Sequence, residues 1–273
     1  MEEGYARDGM TLGGWGDPPR PLRLAFTGRW GGVSRPPFHA LNLGFKGGDD
    51  PAHVRENRRR VAEALGVPLG SWVLLRQVHS CEVVEVAGSD AGAGSLDYLS
   101  GLAEADAMIT RSRRVALCVL TADCLPVALA GGSPPVMALA HSGWKGTLGG
   151  IAGRTVRTMG DRYGTPPRGL RAWIGPGIGS CCYRVSAERA HAFAERFDPP
   201  GVQPGEDGSV VAVRDGSYHL DLKGAVRRDL VEKGIPEEHI TESGICTCCD
   251  RDYFSHRRDG ETGRQAVLMW MAG

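Results

Sequence analysis

Apolar residues along this chain come in short blocks closed by turn residues, not in long periodic stretches. The densest blocks lie between positions 115 and 146. Residues 115–120 are apolar and end in the polar turn Thr121-Ala122-Asp123-Cys124. Residues 125–130 follow and meet a Gly/Pro turn at 131–135. Residues 136–140 form a third run that ends at His141. Such runs predict buried strands. The same pattern predicts strands at 22–26, 72–78, 83–86, 105–110, 171–174 and 265–271.

Helical signals separate these runs. Residues 50–66 read as a helix: Asp50 is a cap, Pro51 suits the first helical position, and Gly66 with Pro68 closes it. Val54, Val61 and Leu65 mark its buried face. Further helices are predicted at 150–159, at 186–197 with Ser186 as cap, and at 222–233 with Gly234 at the end. Residues 199–216 read as a polar loop or hairpin. Helices and strands intermix without a βαβ rhythm, so the prediction is an α+β fold with mixed sheets and not a Rossmann fold. No internal repeat or interior linker appears. One domain over 21–273 is expected, after a loose Gly/Pro-rich arm at 1–20.

Composition narrows the class. The 273 residues are 41% hydrophobic, enough for a substantial core. Lys+Arg and Asp+Glu both number 32, which argues against a nucleic-acid surface. The first residues lack an apolar signal core, and no run of membrane-spanning length exists, so no secretion and no membrane partner are expected. Eight cysteines without a secretory signal point to a reducing, cytoplasmic compartment.

The candidate chemistry sits at strand ends. His79, Cys124 and His141 each follow or interrupt an apolar run, where a rigid scaffold presents side chains. Two histidines and a cysteine suit zinc with a fourth position open. Pattern alone leaves open a packed cysteine and two hydrogen-bonded core histidines. Cys246-Thr-Cys-Cys249 has no second pair downstream and reads as a turn, and Cys181-Cys182 read as packing. Residues 175–179 match neither GxGxxG nor a Walker loop. The turn 142–146 leads into a helix and offers Lys145 for an anion, or merely a solvated lysine. Arg29 lies in a glycine-rich turn. Asp123 is a general base or a turn cap. His256 and Arg257 share a segment, 254–264, suited to close a pocket around a base and its ribose.

Taken together, certain pieces resemble one family: GRWGGVS, ALNLGFKGGDDP, LLRQVHS, DAMIT, LTADCLPV, LAHSGWKG, IGPGIGSCCYRV and CTCCDRDYFSHRRDGETGRQAVLMW. In this order, over about residues 22–271, the chain resembles the laccase-domain (YfiH-like) family, described as purine nucleoside phosphorylases and earlier as polyphenol oxidases. Ser follows His79 and His141 where Gly and Ala are more usual there, and Gly28 stands where Thr is usual. The resemblance implies a layered αββα domain and a zinc on the residues matching His79, Cys124 and His141. It also implies phosphorolysis of adenosine, inosine and S-methyl-5′-thioadenosine, with deamination of adenosine. Purine nucleosides and inorganic phosphate are then the expected partners, on a monomer or homodimer.

For the site this gives Asp123 and Cys124 as catalytic candidates, with Arg29, Asn42, Lys145, His256 and Arg257 expected to bind substrate. The expected anion position lies between Lys145 and Arg29. The rival readings are a copper-dependent polyphenol oxidase and a hydrolase with Cys124 as nucleophile. Against copper stands the scatter of the eight histidines, with no HxH pair.

Overall fold

The structure, a computed structural model, describes residues 5–7 and 10–272. Two six-stranded mixed sheets pack face to face with helices on their outer faces. The first sheet runs β1 (Tyr5–Arg7), β2 (Met10–Gly14), β3 (Leu22–Thr27), β15 (Gln265–Met271), β7 (Ala116–Thr121) and β4 (Trp72–Leu74). The second runs β14 (Ile240–Glu242), β10 (Leu170–Ile174), β8 (Leu125–Gly131), β9 (Val136–Ser142), β6 (Ala107–Thr110) and β5 (Val83–Glu85). β4 lies parallel to β7, β5 to β6 and β10 to β14, and the other pairings in both sheets are antiparallel. A small antiparallel sheet joins β11 (Arg184–Val185), β13 (Ser217–Leu220) and β12 (Val211–Arg214).

Strand alternation explains the layers. In β15, Val267, Met269 and Met271 face the space between the sheets, where Met137 and Leu139 of β9 meet them. Ala266 and Leu268 face outward and pack with Val61 and Ala62 of helix α1 (Pro51–Leu65). In β9, Val136, Ala138 and Ala140 face outward toward α3 (Ile151–Tyr163), α4 (Ala187–Phe197) and α5 (Leu222–Glu232). These central strands are covered on both faces, so they read as continuous apolar runs instead of alternating ones. This is the expected αββα layering.

The caps follow the sequence. Asp50 accepts from the Ala52 N–H, and Gly66 ends α1 at φ 66°. Ser186 accepts from the Arg189 N–H and starts α4. Two differences matter for the site. Residues 10–14, expected inside a loose arm, form β2 instead, and Met10 and Leu12 are buried. Gly13 lets them dock, because a Cβ there would stand 2.2 Å from the Phe26 ring. The expected turn at 142–146 runs into a five-residue helix, α2 (Trp144–Leu148), before α3. A last short helix, α6 (His256–Asp259), precedes β15.

Candidate metal centre between two cavities

The chain crosses twice from the first sheet to the second at one end of the sandwich. The segment from β4 to β5 carries His79, and the turn from β7 to β8 carries Cys124. His141 lies in β9, opposite Pro126 of β8. The ligand atoms of His79, Cys124 and His141 lie within 4.8 Å of one another. Cys124 Sγ is 3.9 Å from His79 Nε2, and the two imidazole rings meet edge to face at 4.9 Å. Gly143 allows this approach, since a Cβ there would stand 2.9 Å from both Cys124 Sγ and His79 Cδ2. His79 and Asp123 have φ of 61° and 86°, a region side-chain-bearing residues seldom occupy and one that clusters at functional sites.

A buried carboxylate orients both histidines. Asp106 Oδ1 is 2.8 Å from His141 Nδ1. Its Oδ2 accepts from the Ser80 N–H at 2.6 Å, the Ser80 hydroxyl at 2.9 Å and the Val78 N–H at 3.2 Å, which fixes the loop that presents His79. Burial would raise the pKa of Asp106, but the His141 and Ser80 bonds outweigh it and hold the pKa at about 2. Burial also opposes a charged Cys124 and a charged His141. Their mutual attraction wins: the thiol is pulled down to about 6 and the imidazole, helped by Asp106, is raised to about 9. A carboxylate behind a ligating imidazole is the arrangement that fixes its tautomer in metal sites. The donor set is the borderline-soft one zinc prefers, with three protein ligands and one position open. By geometry and donor chemistry, these three residues fit a metal ion.

Two cavities open on this group. The larger, about 480 Å³, includes Phe45, Lys46, Tyr98, Thr121 and Arg264 in its lining. The smaller, about 270 Å³, is lined by Trp144, Tyr183, Arg189 and Arg257, among others. His79, Cys124 and His256 border both.

The other expected site residues divide. His256 and Arg257 come to the site. His256 is held by its Nδ1, 2.6 Å from the Gly260 carbonyl. Arg257 donates from Nη1 to the carbonyls of Arg184 at 2.9 Å and Cys182 at 3.3 Å and lies over the Tyr183 ring. Asp123 borders the smaller cavity, yet both its oxygens are taken, by the Thr247 hydroxyl at 2.8 Å and the Arg257 N–H at 2.6 Å. It pins two loops together instead of standing free as a base.

Arg29, Asn42 and Lys145 line neither cavity. Arg29 is buried, donates to the His39 carbonyl from Nε and Nη2, and pairs with Asp259 at 3.3 Å. Asn42 is buried and uses its amide on Gly44, Asp49 and the Arg264 N–H. It shapes the larger cavity through Gly44 and Arg264, which line it. Lys145 is exposed on α2 with Nζ 5.6 Å from the Trp144 ring. Arg29 and Lys145 do not meet at a common cavity, whereas Arg189 and Arg257 both line the smaller one. Arg189 lies 3.9 Å over the Trp144 ring, and its Nε is buried with no hydrogen-bond partner among the described residues. Asp106 opens the DAMIT piece and Arg189 stands in the first turn of α4, but nothing in the sequence marks the first as a partner of His141 or the second as a cavity residue. An Asp opening a strand and an Arg in the first turn of a helix are ordinary.

The description of the matching family is multi-copper polyphenol oxidoreductase laccase, and the match covers residues 23–272. The chain belongs to this family. It is 40% identical over 262 residues to a protein named purine nucleoside phosphorylase YlmD from Geobacillus stearothermophilus, covering 94% of each chain. It is 37% identical over 269 residues to a purine nucleoside phosphorylase of Xylella fastidiosa, covering 96% of each. The crystal structure of YlmD from Geobacillus stearothermophilus superposes with a TM-score of 0.91 at 36% identity, over 100% of this chain and 99% of that one. A hypothetical protein YfiH from Bacillus licheniformis gives 0.87 at 35% identity, over 97% of both. No helix among the described residues is long and apolar enough to cross a membrane.

Proposed function

We propose that this protein is a zinc-dependent purine nucleoside phosphorylase that accepts adenosine, inosine and S-methyl-5′-thioadenosine and also deaminates adenosine. The observation that carries this reading is a His–Cys–His group set between two cavities of different character. Relatives bearing the name of a purine nucleoside phosphorylase support an enzyme of that kind. His79, Cys124 and His141 would hold the zinc, which would supply Lewis acidity there. Phe45 and Tyr98 in the larger cavity offer ring faces for a purine. Arg189 and Arg257 in the smaller one offer guanidinium groups for phosphate. In phosphorolysis a phosphate oxygen bonds to C1′ while the C1′–N9 bond breaks, and the purine leaves with the electron pair and takes up a proton. In deamination water adds at C6 and ammonia departs, so phosphate is not required. All eight cysteines are free thiols, in keeping with a cytoplasmic setting.

A single comparison tests this. Adenosine with phosphate should give adenine and ribose 1-phosphate, and adenosine alone should give inosine and ammonia. Cys124→Ala should lower bound zinc by one ion per chain and abolish both reactions. Oxidation of a phenol by copper-loaded protein without turnover of nucleosides would establish the oxidase reading instead. Full turnover after the metal is stripped would favour Cys124 as a nucleophile.

A further inference from the structure

Two pairs of cysteines that the sequence places far apart meet at one point. Cys181 and Cys182 end the glycine-rich loop after β10. Cys246 and Cys249 lie in the turn after β14. Their sulfurs all lie within 4.8 Å of one another. Cys249 Sγ is 3.5 Å from Cys181 Sγ and 3.3 Å from Cys182 Sγ, and all four are free thiols. Sulfurs bound tetrahedrally to one ion at about 2.3 Å stand about 3.8 Å apart, so the cluster already has the dimensions of such a shell. Hydrophobic packing does not account for it, because Cys181 and Cys249 are exposed.

The backbone around the sulfurs is built to hold them. Gly177 bridges to Cys246 in parallel register, and the Thr247 N–H donates to the Gly177 carbonyl at 3.1 Å. The Cys249 and Asp250 N–H groups both donate to the Cys246 carbonyl, closing the turn that brings 246 and 249 together. The Gly179 N–H donates to Cys246 Sγ at 3.1 Å, a contact that favours thiolate over thiol. A Cβ on Gly179 would stand 3.2 Å from Cys181 Sγ and 3.3 Å from Cys246 Cβ, so glycine lets the two loops close.

We propose that Cys181, Cys182, Cys246 and Cys249 form a second zinc site, a closed tetrathiolate separate from the His79–Cys124–His141 group. Four protein ligands leave no open position, which makes the role structural. Binding releases the thiol protons as the sulfurs become thiolates. The ion clamps the 175–183 loop to the 246–249 turn. Those segments supply Tyr183, the Thr247 hydroxyl that holds Asp123, and the Cys182 carbonyl that anchors Arg257. The second site therefore fixes a wall of the smaller cavity. In the sequence, Cys246 and Cys249 have CxxC spacing, but their partner pair lies upstream and is adjacent, so no ribbon motif is visible.

Metal analysis in the Cys124→Ala background tests this independently of any activity, since that change removes the other ligand group. Protein purified with zinc under reducing conditions should carry one zinc per chain. Adding Cys181→Ser and Cys249→Ser, both at exposed positions, should reduce this to none while the circular dichroism spectrum is kept. Cobalt should give thiolate charge-transfer absorption in the first protein and none in the second. With Cys124 intact, Cys181→Ser with Cys249→Ser should keep one zinc and lower the thermal midpoint. The proposal is overturned if reduced Cys124→Ala protein binds no zinc, or if its zinc survives loss of both cysteines.

Discussion

The Asp106 carboxylate reaches both histidines of the ligand set, one directly and one through the backbone at Val78 and Ser80. Its loss should therefore loosen the metal site from two sides. Asp106→Asn should weaken zinc binding by about 10–100-fold, the usual effect of removing a partner behind a ligand. The same residue sets a pH dependence in metal-free protein. A carboxylate lowered in the fold to about 2 adds stability that is fully present above its ordinary range near 3.8. That stability disappears as pH falls through about 2. Urea unfolding between pH 5 and 2 should therefore fall less steeply for Asp106→Asn than for the parent chain. Equal slopes would mean that His141 and Ser80 do not bias this carboxylate. Residue identity alone could nominate His79, Cys124 and His141, because strand ends are visible as breaks in apolar runs. It could not reveal which carboxylate stands behind them, since Asp106 becomes distinctive only when β6 pairs beside β9.

Elements were most legible where local chemistry and packing agree. α1 carries its own cap, its proline and its terminal glycine, and β15 is Gln265 followed by six apolar residues, with both faces covered. The run at 72–78 is strand only to Leu74. Beyond it, Gln77 places its side-chain amide on the Leu120 N–H and carbonyl, replacing a backbone rung and freeing the chain to turn toward His79. Nothing in periodicity distinguishes that substitution from a continued strand. α2 was hidden by two glycines in five positions around Trp144 and Lys145, and it persists through packing more than propensity. Within the segment expected to be loose, residues 10–14 show the opposite case, where Gly13 permits close docking. Leu12 is fully buried against the α1 side of the first sheet. Leu12→Ala should cost about 2–5 kcal/mol in chemical unfolding, as for other buried leucines. A cost below about 0.5 kcal/mol, typical of surface changes, would mean that β2 does not stay docked in solution.

At the scale of the whole molecule, two crossings between the sheets bring positions 79 and 124 to one end of the sandwich, beside 141 in β9. The outer helices and the C-terminal segment then close that end as two cavities sharing one border. This architecture suggests a division of labour that a single-pocket enzyme would not show. The smaller cavity presents Arg189 and Arg257, and only phosphorolysis needs phosphate. Arg189 is the cleaner probe, because Arg257 also anchors the loop carbonyls of Cys182 and Arg184. Removing a charged hydrogen-bond partner costs about 1.5–3 kcal/mol. Arg189→Ala should therefore raise the KM for phosphate by about 10–100-fold. Adenosine deamination should stay within about twofold of the parent rate, since it uses no phosphate, and Arg189→Lys should recover part of the phosphate affinity as a point charge. The measurement is a pair of steady-state assays on one protein preparation, with phosphate varied in the first and omitted from the second. If instead the KM for adenosine rises in both assays while that for phosphate stays put, the guanidinium of Arg189 belongs to the purine wall. The phosphate must then enter through the larger cavity beside Lys46 and Arg264.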